Sequence, residues 1–136
     1  MFRRSALVTL LMVPILLLLG SPASAITGSK SISNSGASAS YTWTWNPTSL
    51  AFMTVRVSDL ACDNNSVYGQ IILVYTNGSR SIYPHHNYNG CNSTRTWPGL
   101  GAGNGRPIAH VFIKACVDDF GYDTCATSGI TRNPYV

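Results

Sequence analysis

Residues 108–125 read IAHVFIKACVDDFGYDTC, and the way this stretch alternates decides the fold. Side chains of an extended chain point to opposite sides in turn. Ala109, Val111, Ile113, Ala115 and Val117 therefore fall on one face, and Ile108, His110, Phe112, Lys114 and Cys116 on the other. An acidic turn broken by Gly121 follows, and Cys125 comes nine residues after Cys116. The combination predicts a β-hairpin whose arms are joined by a Cys116–Cys125 disulfide.

Upstream, Val67–Tyr75 contains the unbroken apolar run Ile71-Ile72-Leu73-Val74-Tyr75, which suits a strand covered on both faces in the middle of a sheet. Asn77-Gly78 follows it and signals a two-residue hairpin turn. That turn would pair Thr76 with Ser79, Leu73 with Ile82 and Ile72 with Tyr83, and Pro84 would end the return strand. Leu50–Ala61 alternates with Met53, Val55 and Val57 on one face. Tyr41-Thr-Trp43-Thr-Trp45 alternates strictly and stops at Asn46-Pro47.

Residues 26–40, rich in Ser, Gly and Ala, read as a flexible N-terminal arm, with a poorly packed edge strand as the other reading. Residues 84–92 read as a loop, 93–97 as a short strand and the glycine-rich 98–107 as a mobile loop. A last strand is expected around Cys125–Thr131. Helical periodicity with caps is missing from the sequence after residue 25, and β-branched and aromatic residues dominate there. Short strands between turns predict an all-β domain over 41–136: a small immunoglobulin-like β-sandwich with two disulfides, or alternatively a small closed β-barrel.

Residues 1–25 combine Arg3-Arg4, an apolar run from Leu7 to Leu19 and the small-residue site Ala23-Ser24-Ala25, the pattern of a cleavable signal peptide. The expectation is a secreted, extracellular protein with no membrane segment after cleavage. All four cysteines lie beyond residue 25, and an even count in an oxidising compartment implies two disulfides. Three pairings are possible; the short Cys116–Cys125 loop is favoured, which leaves Cys62–Cys91. Removing Arg3 and Arg4 from nine cationic side chains leaves seven against five aspartates, a net charge of +2. The arginines are scattered, so no nucleic-acid footprint is present. Glutamate is absent, and with it a common general acid of hydrolases.

Several residues invite a chemical reading. The Tyr41/Trp43/Trp45 stripe is either a sugar-stacking platform or a core face. Tyr83, Tyr88 and Trp97 join Trp43 and Trp45 as candidate ligand-binding aromatics. Asp118, Asp119 and Asp123 lack the ligand spacing of the twelve-residue calcium loop and read as a solvated turn, as do Asp59 and Asp63. His85 and His86 are adjacent and diverge on an extended chain, and His110 suits a packed strand position, so no metal site is expected. No serine sits in an activating turn, and GLGAGNG lacks the Lys-Ser/Thr and helix of a phosphate loop. Neither catalytic residues nor a cofactor is expected. Asn64, Asn77 and Asn92 each begin a glycosylation triplet.

The Arg3-Arg4 signal ending Ala23-Ser24-Ala25, the Ala61-Cys62-Asp63 turn, the Ala115-Cys116 strand and the Asn133-Pro134-Tyr135 close resemble small disulfide-bonded secreted proteins of actinomycete bacteria. The resemblance is diffuse and brings no activity or site residues with it. That group includes secreted hydrolase inhibitors, whose signature segments are not found here. The first functional expectation is a monomeric, non-enzymatic binder of an extracellular polysaccharide or cell-envelope surface. The alternative is an inhibitor or toxin-like protein acting on another protein through the 84–107 loops.

Overall fold

A computed structural model describes residues 24–136, so the expected signal peptide lies almost wholly outside the described residues. The described chain forms β1 (Thr27–Ser33), β2 (Ala37–Trp45), β3 (Ser49–Asp59), β4 (Ser66–Tyr75), β5 (Arg80–Asn87), β6 (Thr94–Gly103), β7 (Ile108–Asp118), β8 (Thr124–Thr127) and β9 (Thr131–Arg132). No helix long and apolar enough to cross a membrane occurs among the described residues. Two antiparallel sheets have the orders β1-β2-β3-β6 and β5-β4-β7-β8, and β9 also pairs with β7. β3 and β6 are neighbours, while β4 and β5, between them in sequence, pair in the opposite sheet. This crossing path is that of an immunoglobulin-like sandwich, and the free edges rule out the closed barrel.

The core lies between the sheets. From one side come Ala37, Ala39, Tyr41, Trp43 and Trp45 of β2 and Leu50, Met53, Val55 and Val57 of β3. From the other come Val67, Ile71, Leu73 and Tyr75 of β4 and Ile108, Val111, Ile113, Ala115 and Val117 of β7. The faces of β3 and β7 are those the alternation predicts, with one change. The register of β7 on β4 shifts between Val74, opposite His110, and Tyr75, opposite Ile108. Ala109 is the extra residue of this bulge, so Ile108 rather than Ala109 turns inward.

Close approach of the sheets depends on Gly69. A Cβ there would lie 2.9 Å from the Tyr41 hydroxyl, from Ala39 Cβ and from Val57 Cγ2. The missing side chain makes room for the Tyr41 ring, which is fully buried. Trp43 and Trp45 pack edge to face beside it, with ring centroids 5.5 Å apart.

The β4–β5 hairpin differs from the expected one by a single residue. Tyr75 N donates to Ser79 O at 2.9 Å, and Ile72 faces Ile82 while Ile71 faces Tyr83. The connection is the three-residue Thr76-Asn77-Gly78, in which only Gly78 has positive φ. Asn77 Oδ1 accepts hydrogen bonds from Ser79 N and Ser79 Oγ at 3.0 and 2.7 Å, which favours this turn over the two-residue form. A slip of one residue exchanges the faces of a strand, and here it turns Tyr83 toward the interior.

Three further expectations are corrected. Pro84 does not end β5: it pairs opposite Gln70 on an edge strand, where its missing N–H costs no ladder bond. Residues 98–103, expected in a mobile loop, instead continue the short strand expected over 93–97 as β6, paired along β3 with bulges between Leu50 and Val55. The 26–40 segment is an edge-strand hairpin instead of a flexible arm, turned at Asn34, whose Oδ1 accepts the Gly36 and Ala37 amides. The edges are guarded by Pro84 on β5, by Pro98 and the bulges on β6, and by Lys30 on the core-facing side of β1 opposite Tyr41.

Replacing Gly69 with Val overfills the contact with Tyr41 and costs about 1–3 kcal/mol. The check is a lower denaturant midpoint followed by tryptophan fluorescence.

Candidate functional site

The turn 34–36 and the loops 60–65, 88–93 and 119–123 gather at one end of the sandwich, because Ser66 pairs with Asp118, Val67 with Asn87 and Ser58 with Thr94. Both expected disulfides are present there. Cys62–Cys91 ties the loop after β3 to the loop after β5, and Cys116–Cys125 joins directly opposed residues of β7 and β8. Asn87 is buried beneath these loops. Its Nδ2 donates to Val57 O and Ser93 O at 3.1 and 3.2 Å, and its Oδ1 accepts the Asn89 amide at 3.0 Å. The loops are therefore held to the sheets by covalent and buried polar links.

Two adjoining clefts open at this end. One, of about 420 Å³, is lined by Asp59, the Cys62–Cys91 bridge, Asn64, Asn65, Ser66, Tyr88 and Gly90. The other, of about 490 Å³, shares the Asn64–Ser66 wall and is closed by Asp118, Asp119 and Phe120. Hydrogen bonds brace the wall: Asn65 Nδ2 donates to Asp119 Oδ1 at 3.2 Å, and Ser66 Oγ to Asp118 Oδ2 at 3.0 Å. Asn64 holds a positive φ of 63°. The linings supply carboxylate and amide acceptors, amide donors and aromatic surface.

Tyr88 ends a stack of three rings. It lies 5.3 Å from His86 with planes 5° apart, and His86 lies 4.9 Å from Tyr68. Tyr68 donates its hydroxyl to Asp123 Oδ2. Burial, that hydrogen bond and the nearby carboxylates push the Tyr68 phenol up to about 12, so it stays protonated and keeps donating. The stack orients Tyr88 while leaving it 66 % exposed.

Of the five aromatics singled out in the sequence, only Tyr88 is presented to solvent. Trp43 and Trp45 are 2 % and 3 % exposed, so the stripe is a core face and not a platform. Tyr83 is half-buried, its hydroxyl accepting the Gly103 amide at 3.0 Å. Trp97 packs against the core, and the Arg95 guanidinium covers its ring at 4.8 Å. Phe120 and Tyr122, passed over as part of a solvated turn, are almost wholly exposed. The available signal was two large rings between aspartates, in a turn too short to bury them.

The histidines are divided among separate surroundings. His85 points inward, with Nδ1 3.3 Å from the Tyr41 hydroxyl and its ring edge-on to Trp97. His86 faces out into the ring stack. His110 sits opposite Val74, six positions along β4 from Tyr68, or roughly 20 Å. No cluster of His, Cys and Asp suited to a metal ion occurs among the described residues.

Two outcomes follow. Burial holds the His85 imidazole below its ordinary 6.5, with the neighbouring His86 adding to the effect and a backbone hydrogen bond opposing it. Unfolded His85 then takes up its proton at higher pH than folded His85. Its contribution to stability is complete above about 6.5 and is lost as pH falls through the folded value. Denaturant midpoints measured against pH should show this acid limb, and His85→Gln should flatten it. For the disulfides, Cys62–Cys91 spans 29 residues and Cys116–Cys125 spans 9. Loop-closure entropy makes removal of the longer bridge, as a double Ser variant, the costlier by roughly 1 kcal/mol. Chemical denaturation of the two double variants compares them.

The chain matches no protein family, characterised protein or solved structure to which it was compared.

Proposed function

We propose that the protein is a secreted, non-enzymatic β-sandwich that binds an extracellular polysaccharide or cell-envelope surface through the loop end described above. The observation that carries this reading is the placing of two exposed rings, Tyr88 and Phe120, in the walls of clefts lined by Asn and Asp side chains, with a third exposed ring, Tyr122, in the same turn as Phe120. Sugar rings offer apolar C–H faces and rims of hydroxyl groups. Aromatic surface beside fixed amides and carboxylates complements both. The disulfides and Asn87 hold the loops before any ligand arrives, which limits the ordering cost of binding. Export rests on the signal pattern of residues 1–25 and agrees with two disulfides.

The reading of an inhibitor or toxin-like protein acting through residues 84–107 has weaker support. Most of that segment lies within β5 and β6, and its exposed ring, Tyr88, belongs to the same cleft.

Retention on insoluble polysaccharides is the direct measurement. Alanine at Tyr88, Phe120 or Tyr122 should each weaken retention about 3- to 10-fold and leave the unfolding midpoint within error. Wild-type protein that no polysaccharide or cell-wall preparation retains would refute the reading.

A further inference from the structure

The cleft beneath Tyr88 has an unusual floor. Asp59, the last residue of β3, is 2 % exposed and borders the cleft. Its Oδ1 accepts the Ala61 amide at 3.1 Å; its second oxygen makes no hydrogen bond among the described residues. Asp59 is itself part of the cleft lining. A carboxylate oxygen with no donor from the protein is open to one from a ligand, and a charged donor satisfies it best.

The surroundings favour a cation. All five aspartates of the protein, Asp59, Asp63, Asp118, Asp119 and Asp123, lie at this end. Their hydrogen-bond partners are neutral: the Ala61 and Asn65 amides, Ser66 Oγ, Asn65 Nδ2 and the Tyr68 hydroxyl. Arg80, Arg106 and Arg132 lie toward the opposite end, beside the 76–79 turn and His110. Arg56 and Arg95 lie nearer this end, with Arg95 over the Trp97 ring and donating to His86 O. The five carboxylates outnumber the nearby guanidinium groups of Arg56 and Arg95 at this end, and the face of an aromatic ring such as Tyr88 also attracts cations.

We infer that the Asp59–Tyr88 cleft binds a protonated primary amine carried on a sugar ring, and that the ligand is an amino-sugar polymer with free amino groups. The assignment rests on the glycan reading above and narrows it to a cationic class. The ammonium meets the free Asp59 oxygen, Asn64 and Asn65 meet ring hydroxyls, and Tyr88 covers one face of the sugar.

Calorimetric titration with three soluble tetramers tests it: β-linked glucosamine, its fully N-acetylated form, and the corresponding glucose tetramer. The buffer is mildly acidic, so that the amines of the ligand are protonated. The glucosamine tetramer should bind at least about tenfold more tightly than the other two, with a preference that falls as salt is raised. Asp59→Asn keeps the acceptor for the Ala61 amide and should abolish the preference. Tyr88→Leu, at an exposed position that tolerates change, should reduce it even if the Asp59 variant fails to fold. Equal affinity for all three tetramers, or a preference unchanged in both variants, would overturn the amine assignment while leaving glycan binding intact. Binding of none of them, with no retention on insoluble polysaccharide, would remove both.

Discussion

Tyr41 fits between the sheets because residue 69 has no side chain, and much of the molecule follows from that contact. With Gly69 beneath it, β2 lies close enough to β4 for its inward residues to fill the interior with rings. Two tryptophans and a tyrosine committed to the core give a small domain much of its buried apolar area. The same packing takes these residues away from recognition. Surface chemistry is left to the loops, and the disulfides and Asn87 decide where the loops stand.

What the sequence discloses is mostly local. The alternation in β3 and β7, and the paired cysteines around the DDFGYD turn, each depend on neighbours within a few residues, and each leads to the observed structure. The β4–β5 register does not, because Asn-Gly is compatible with two turn lengths and the choice rests on hydrogen bonds from Ser79 to Asn77 Oδ1. The consequence is large, since one residue of slip carries Tyr83 from the outer face to the inner. Pro84 and the glycines of β6 misled for a different reason. Whether a strand tolerates them depends on its being at a sheet edge, which is settled by partners distant in sequence.

The candidate site was legible only in part. Tyr88 was recognisable as an aromatic beside a cysteine loop, but Asp59 was not distinguishable from any acidic residue near a turn. Its meaning arises from burial beside a cleft that Tyr88, Gly90 and Cys91, some 30 residues away, complete. Phe120 and Tyr122 show the converse. Local composition identified their turn correctly as solvated, and what that implied was two uncovered rings with nothing inside the protein to pack against.

The sorting of charge along the sandwich bears on how the molecule meets a surface. With a net charge of only +2 over residues 26–136, long-range attraction or repulsion of the domain is weak. Five carboxylates at one end and three of the guanidinium groups toward the other instead give an electric dipole along the strands, reduced by Arg56 and Arg95 nearer the loops. In a field gradient such a particle turns before it is drawn in. Near a positively charged wall it arrives loops first with Arg80, Arg106 and Arg132 trailing, and near a negatively charged one it arrives reversed. Salt confines this alignment to the last Debye length of about 8 Å, so the orientation of the protein is set only during the final approach.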